Sequence, residues 1–147
     1  MTLHRISEIE IIYKPQKYSV GVVANSLQAE AVFRNFWNAN TIEYFEEFKV
    51  MYLDRMRHVL GVYTHTQGGL AGTMCDVRMI FQGALKANAQ SIILAHNHPS
   101  GNLEPSEMDK ELTRKLKEAG KLLDIPIIDH LILTDCNYVS LADNGYL

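Results

Sequence analysis

Two histidines separated by one residue, His96 and His98, leave the end of an apolar run and are followed by a carboxylate, Asp109. In extended backbone, residues i and i+2 point to the same side, so both imidazoles can reach one metal ion. Two imidazoles and one carboxylate form a catalytic zinc set that leaves a further position open to water. Pro99, Ser100 and Gly101 suit a turn that folds the next segment back over the histidines. Each residue also has a plainer reading. Histidines near a turn are often polar loop residues, and Asp109, three residues after Ser106, suits the acid of a capping box. The combination of a His-x-His pair leaving an apolar strand and a carboxylate just past a Pro/Gly turn is harder to produce without a site.

The elements that must position these groups follow from hydrophobic periodicity. Residues 91–95 (SIILA) are short, apolar and largely β-branched, the pattern of a buried strand ending at His96. Regular structure stops in HNHPSGNLEP, and Ser106 opens a helix with apolar positions Met108, Leu112, Leu116, Ala119 and Leu123. Strand-like IPIIDHLILT and NYVSL follow, separated by a tight turn at 135–137. Upstream, FKVMYLD and VLGVYTH form a hairpin across a polar turn at 55–57, and a helix from Asp76 groups Val77, Ile80, Phe81, Ala84 and Leu85 on one face. Residues 27–39 place Ala29, Val32, Phe33, Phe36 and Trp37 at helical spacing, with Ser26 as the cap. Residues 10–24 hold β-rich pieces, IEIIY and YSVGVVA, broken by Lys14, Pro15 and Gln16. This alternation predicts an α/β or α+β layered domain.

A chain of 147 residues with 47% hydrophobic content and 4 prolines can bury a core of its own, and the reading is one domain over 1–147. The net charge of −3 and pI near 6.0 supply no sequence-wide basic field, so direct nucleic-acid binding is not expected. No signal-type apolar run opens the chain and none of membrane-spanning length occurs, so a soluble cytoplasmic protein without a membrane partner is expected. Cys75 and Cys136 belong to no CxxC pair and read as reduced structural thiols.

The spacing His96-x-His98, ten residues, Asp109, with Ser106 three before the aspartate, resembles the JAMM signature of JAB/MPN metalloproteases. The wider string AHNHPSGNLEPSEMD resembles the bacterial RadC-like branch of that family, and the likeness runs from about Tyr44 to the C-terminus. It implies a mixed β-sheet flanked by helices, of cytidine-deaminase-like architecture. It also implies zinc bound by His96, His98 and Asp109, a catalytic glutamate on an earlier strand, and Ser106 as a stabiliser of the oxyanion. For the glutamate there are two candidates, Glu46 and Glu47. Strand alternation puts Glu46 with Phe48, Val50 and Tyr52, whereas Glu47 goes with Lys49, Met51 and Leu53. The more apolar face and the family's Glu-x-Phe pattern favour Glu46 as a desolvated general base; Glu47 reads as a solvated acid at a strand edge. The implied reaction is amide or isopeptide hydrolysis of a peptide or protein substrate. Glu46 takes a proton from metal-activated water and passes it to the leaving amine.

A nucleobase deaminase needs His-x-Glu and Pro-Cys-x-x-Cys, which cysteines at 75 and 136 cannot assemble, and the HExxH helix of other zinc peptidases is missing. A different functional class is an accessory or interaction module linked to DNA repair, with a structural metal, since RadC-like proteins are named for that process. In those proteins the domain usually follows a DNA-binding helix-hairpin-helix region, which this reading does not expect within the chain. Among remaining polar residues, Asp129-His130 reads first as a satisfied core pair and second as a group orienting a ligand histidine. His58 and His65 read as surface residues, and Gly72-Thr73 as a turn that can line a pocket.

Overall fold

Strands buried on both faces need cover on both, and the three central strands of the sheet have helices on either side. The computed structural model describes residue 10 and residues 21–68 and 75–147. The elements are α1 (Ser26–Arg34), β1 (Glu47–Leu53), β2 (Val59–Gln67), α2 (Val77–Lys86), β3 (Ser91–Asn97), α3 (Glu107–Leu122), β4 (Ile127–Leu133) and β5 (Tyr138–Ser140). The sheet order is β2-β1-β3-β4-β5; only the β3–β4 pair is parallel, joined through α3, and the others are antiparallel. This is the mixed sheet with helices that the sequence predicted.

The two faces carry separate cores. Phe33, Trp37, Ile42, Met51, Ile93 and Leu131 pack with α1 on one side. Phe48, Val50, Tyr52, Ile80, Phe81, Leu94 and Leu116 pack with α2 and α3 on the other. Alternation along β1 and β3 therefore sends neighbouring residues to opposite layers.

Several details depart from the sequence reading. The first helix is capped by Asn25, whose side chain accepts the Gln28 N–H at 2.9 Å, so Ser26 is already its first residue. It ends at Arg34 rather than running on to 39, because Phe36 N–H and Trp37 N–H turn back to Phe33 and Arg34 carbonyls in a tightened turn. Arg34 then donates to the carbonyls of Thr134, Asp135 and Asn137 and ties the helix to the β4–β5 turn. Leu85, Met108 and Leu123 are exposed. Leu112, Leu116 and Ala119 of α3 pack on the core as expected, and Thr113 and Gly120 join them on the buried face. A side chain at Gly120 would collide with the Ile125 carbonyl, so glycine permits the close return of the chain into β4. The hairpin turn, the strand ending in the histidines and the 135–137 turn lie where expected. Of the β-rich pieces at 10–24, most residues lie outside those described, and Val22 forms an isolated bridge with His58. Among the described residues no helix is long and apolar enough to cross a membrane.

Candidate metal centre

β3 runs two residues further than the apolar pattern indicated and includes His96 and Asn97. His98 follows directly, its N–H held by the Leu133 carbonyl at 2.9 Å, so extended backbone persists through the motif. The Nε2 atoms of His96 and His98 come within 2.9 Å of each other. Gly101 then adopts φ +82, a left-handed conformation that suits glycine, and its N–H returns to the His98 carbonyl. That turn brings α3 back so that its first turn faces the histidines. Asp109 Oδ1 lies 3.2 Å from His96 Nε2 and Oδ2 lies 3.4 Å from His98 Nε2. The ligand atoms of the three residues all fall within 4.8 Å of one another, a group able to hold a metal ion.

The plain reading of Asp109 is also realised. Ser106 Oγ accepts the Asp109 N–H at 3.1 Å and Asp109 Oδ2 accepts the Ser106 N–H at 2.7 Å, a complete capping box. One carboxylate thus caps the helix and faces the histidines. The box fixes its rotamer in advance of any ligand.

Both imidazoles are fixed from behind. His98 Nδ1 donates to the Asn102 carbonyl at 2.7 Å, so its Nε2 faces the centre. His96 Nδ1 lies 2.8 Å from Nε2 of His130, and Phe48 stacks on the His96 ring with 9° between planes. His130 is fully buried and its Nδ1 meets Thr113 Oγ1 at 2.6 Å. Two imidazole nitrogens at 2.9 Å need a proton on one of them or a metal ion held by both. Two imidazole nitrogens and a carboxylate oxygen converging on one point are a donor set that suits zinc, so the residues fit that ion.

The electrostatics agree with a cation site. Burial alone would raise the Asp109 carboxyl, but the His96 and His98 hydrogen bonds outweigh it and hold the group well below the usual carboxylate range. The Asp109 hydrogen bond raises His98 above an ordinary imidazole, opposed by burial and supported more weakly by the Glu46 charge. Burial pushes His130 well below its ordinary value.

Glu46 immediately precedes β1, and because Phe48 pairs with His96 the start of β1 lies beside the end of β3. Glu46 is half-buried at that end of the sheet. Glu47 corrects the sequence reading. It is buried, not solvated, and its Oε1 pairs with Lys49 Nζ at 3.1 Å and accepts from Gln67 on the opposite side of the sheet. Asn97, read in the sequence only as a spacer, holds the Glu46 backbone. Its Oδ1 accepts the Glu47 N–H at 2.7 Å, and its Nδ2 donates to the Ile42 and Phe45 carbonyls. The signal was available: a polar side chain between two residues that face one way must face the other, into a core.

Other histidines also gain partners that the sequence reading did not foresee. His58 Nδ1 pairs with Asp54 at 2.9 Å, and His65 Nε2 accepts the Asp76 N–H at 2.9 Å. Thr113, a residue the sequence reading passed over, lies one turn beyond Asp109 on the buried face of α3. Asp129 accepts from Ser140, Ala142 and the His130 N–H, away from the centre. Cys75 is half-buried and Cys136 exposed, both free thiols, and Gly72-Thr73 lies outside the described residues.

Comparison with known proteins gives the same family. The model of the RadC-like JAB domain matches residues 23–146. The match therefore includes α1, ahead of the point where the sequence likeness was first drawn. The UPF0758 protein of Flavobacterium johnsoniae is 47% identical over 100 residues, covering 68% of this chain and 44% of its own length. That of Thermosynechococcus vestitus is 45% identical over 98 residues, 67% of this chain and 39% of the relative. A Methanosarcina mazei homologue is 42% identical over 102 residues, 69% of this chain and 44% of the relative. The chain spans less than half the length of these curated relatives, whose names assign no activity. On the extent of the family match and on these identities, the chain belongs to the RadC-like JAB domain family.

Proposed function

We propose that this domain is a zinc-dependent hydrolase of amide or isopeptide bonds. The observation that carries the reading is the convergence of His96 Nε2, His98 Nε2 and the Asp109 carboxylate, with the far nitrogen of each ring already hydrogen-bonded. When bound, zinc would supply a Lewis acid that activates water and polarises a carbonyl near neutral pH. His96, His98 and Asp109 would hold it.

The chain's own groups would do the rest. The Glu46 carboxylate takes the proton that water loses as it attacks the carbonyl carbon, and delivers it to the departing nitrogen. Ser106 Oγ already accepts the Asp109 N–H, so its hydroxyl proton is available to the developing oxyanion. A peptide or protein is the substrate class that supplies such a bond.

Elemental analysis of purified wild type, His98→Ala and Asp109→Ala tests the centre. About one zinc per chain in wild type and none in either variant supports the reading, and justifies a peptide-library search with Glu46→Gln as the inactive control. No zinc in wild type after reconstitution overturns it and leaves an interaction module as the better account.

A further inference from the structure

His96 is the only one of the two histidine ligands whose outer nitrogen meets another titratable ring rather than a carbonyl. That contact is ambiguous by itself, because either imidazole can donate. The protons can be assigned by following the chain to its end. Thr113 Oγ1 lies 2.6 Å from the Asp109 main-chain carbonyl and 2.6 Å from His130 Nδ1. A carbonyl only accepts, so the one hydroxyl proton of Thr113 goes to Asp109. Toward His130 the hydroxyl oxygen is then an acceptor, and His130 Nδ1 carries the proton. Both ring nitrogens of His130 are met by neutral atoms, Thr113 Oγ1 and His96 Nδ1, so the single N–H on Nδ1 completes its bonding. His130 Nε2 is therefore bare and accepts from His96 Nδ1 at 2.8 Å. His96 is left with its Nε2 lone pair aimed at His98 and Asp109.

We propose that Thr113 and His130 are positioning residues of the metal centre, which set the tautomer and ring orientation of His96 through a circuit of hydrogen bonds that ends on the Asp109 main-chain carbonyl. The circuit runs from His96 Nδ1–H to His130 Nε2, from His130 Nδ1–H to Thr113 Oγ1, and from the Thr113 hydroxyl to the Asp109 carbonyl. One residue of α3 thereby supplies a ligand and fixes, through its backbone, the tautomer of a ligand on β3. The pair also joins α3 to β4 at the level of the site. This inference rests on the zinc reading above, but the proton arrangement is a property of the metal-free chain and can be measured separately.

The test uses the intact chain. Long-range nitrogen–proton NMR spectra of the metal-free protein should show His130 and His96 protonated at Nδ1, with His130 Nε2 bare. A proton on His130 Nε2 overturns the circuit, whatever the protein's behaviour toward zinc. Thr113→Val removes the acceptor for His130 Nδ1–H and should weaken zinc affinity, read by chelator competition, on the order of 10–100-fold. Thr113→Ser restores the hydroxyl and should bind zinc within about threefold of wild type, a rescue that general packing damage would not give. Unchanged affinity in Thr113→Val overturns the positioning role. If that variant does not fold, a Thr113→Ser affinity as weak as that expected for Thr113→Val overturns it in its place. Wild type that binds no zinc while showing the expected tautomers refutes the proposed function and leaves the circuit standing.

Discussion

The two faces of the sheet divide adjacent residues between a metal centre and a scaffold. On one face Glu46 and His96 lie with Phe48, under α3. On the other, Glu47 and Asn97 point into the layer beneath α1. Both faces bury polar groups, yet they spend them differently. The centre converges three ligand atoms on one point and fixes each ring from behind. The scaffold face cancels charge internally: Lys49 Nζ donates to Glu47 Oε1 and Thr64 Oγ1 and lies 4.8 Å over the Trp37 ring. A polar cluster whose ligand atoms converge on one point suits ligand binding, and one that closes on itself suits structure. Residue type alone does not distinguish them.

Exchanging the two glutamates' roles is the largest test of that division. Glu46→Gln should retain zinc and fold stability while lowering turnover on the library-selected substrate on the order of 10²–10⁴-fold. Glu47→Gln should do the reverse, leaving Lys49 buried without its counter-charge and costing about 3–5 kcal/mol in urea unfolding. The double replacement Glu47→Leu with Lys49→Met should recover most of that loss, because an apolar pair needs no desolvation. Equal stability losses at the two positions would refute the assignment of faces.

Asn97 joins the two faces, so its loss should register on both. Its side chain grips the peptide groups on either side of Glu46, through the Phe45 carbonyl and the Glu47 N–H. Asn97→Ala strands these buried groups and should cost about 1–3 kcal/mol by denaturant titration. Zinc content should be unchanged, because His96 and His98 are held from the opposite side, while turnover falls as Glu46 loses its fixed backbone. Loss of zinc together with stability would instead make Asn97 part of the metal-holding structure.

The parts of this design that were legible in the sequence are those set by local rules. Period-two alternation separated Glu46 from Glu47, the Pro/Gly turn brought Asp109 back, and Ser106 marked the helix start. What was not legible depends on the rotation of whole elements. Met108 and Leu123 fit the apolar period of α3 yet stand exposed, because the helix turns Thr113 and Gly120 to the sheet. Glu47 reads as solvated because its partner Lys49 is another charge, and two charges in sequence do not disclose that they neutralise each other in a core. His130 is 34 residues from His96, and only the parallel β3–β4 register places them together.

Ser106 sharpens the comparison at a residue that belongs to both categories. Its oxygen caps α3 and, in the proposed reaction, its proton meets the oxyanion. Ser106→Ala should cost about 1 kcal/mol of stability from the lost cap. If only the cap matters, turnover of the zinc-loaded protein should stay near wild type; the proposed role predicts a fall on the order of 10²–10³-fold. Ser106→Asp separates the two, since a carboxylate caps equally well but donates no proton.

The smallest expected effect concerns Asp129, a buried carboxylate outside the centre. Burial raises its carboxyl above the ordinary value, although hydrogen bonds from Ser140, Ala142 and His130 pull the other way. The folded chain therefore keeps this proton to higher pH than the unfolded chain, which releases it near about pH 4. Between that point and the raised value the folded state binds more protons, so its stability falls as pH rises, and above the window the contribution is constant. Asp129→Asn removes the titration. Unfolding free energies of the metal-free proteins should then diverge across the window, wild type losing stability relative to the variant as pH increases, and run parallel above it. Curves parallel throughout would mean that the three donors around Asp129 offset its burial, making this closed cluster as well matched to a carboxylate as the open one is to a cation.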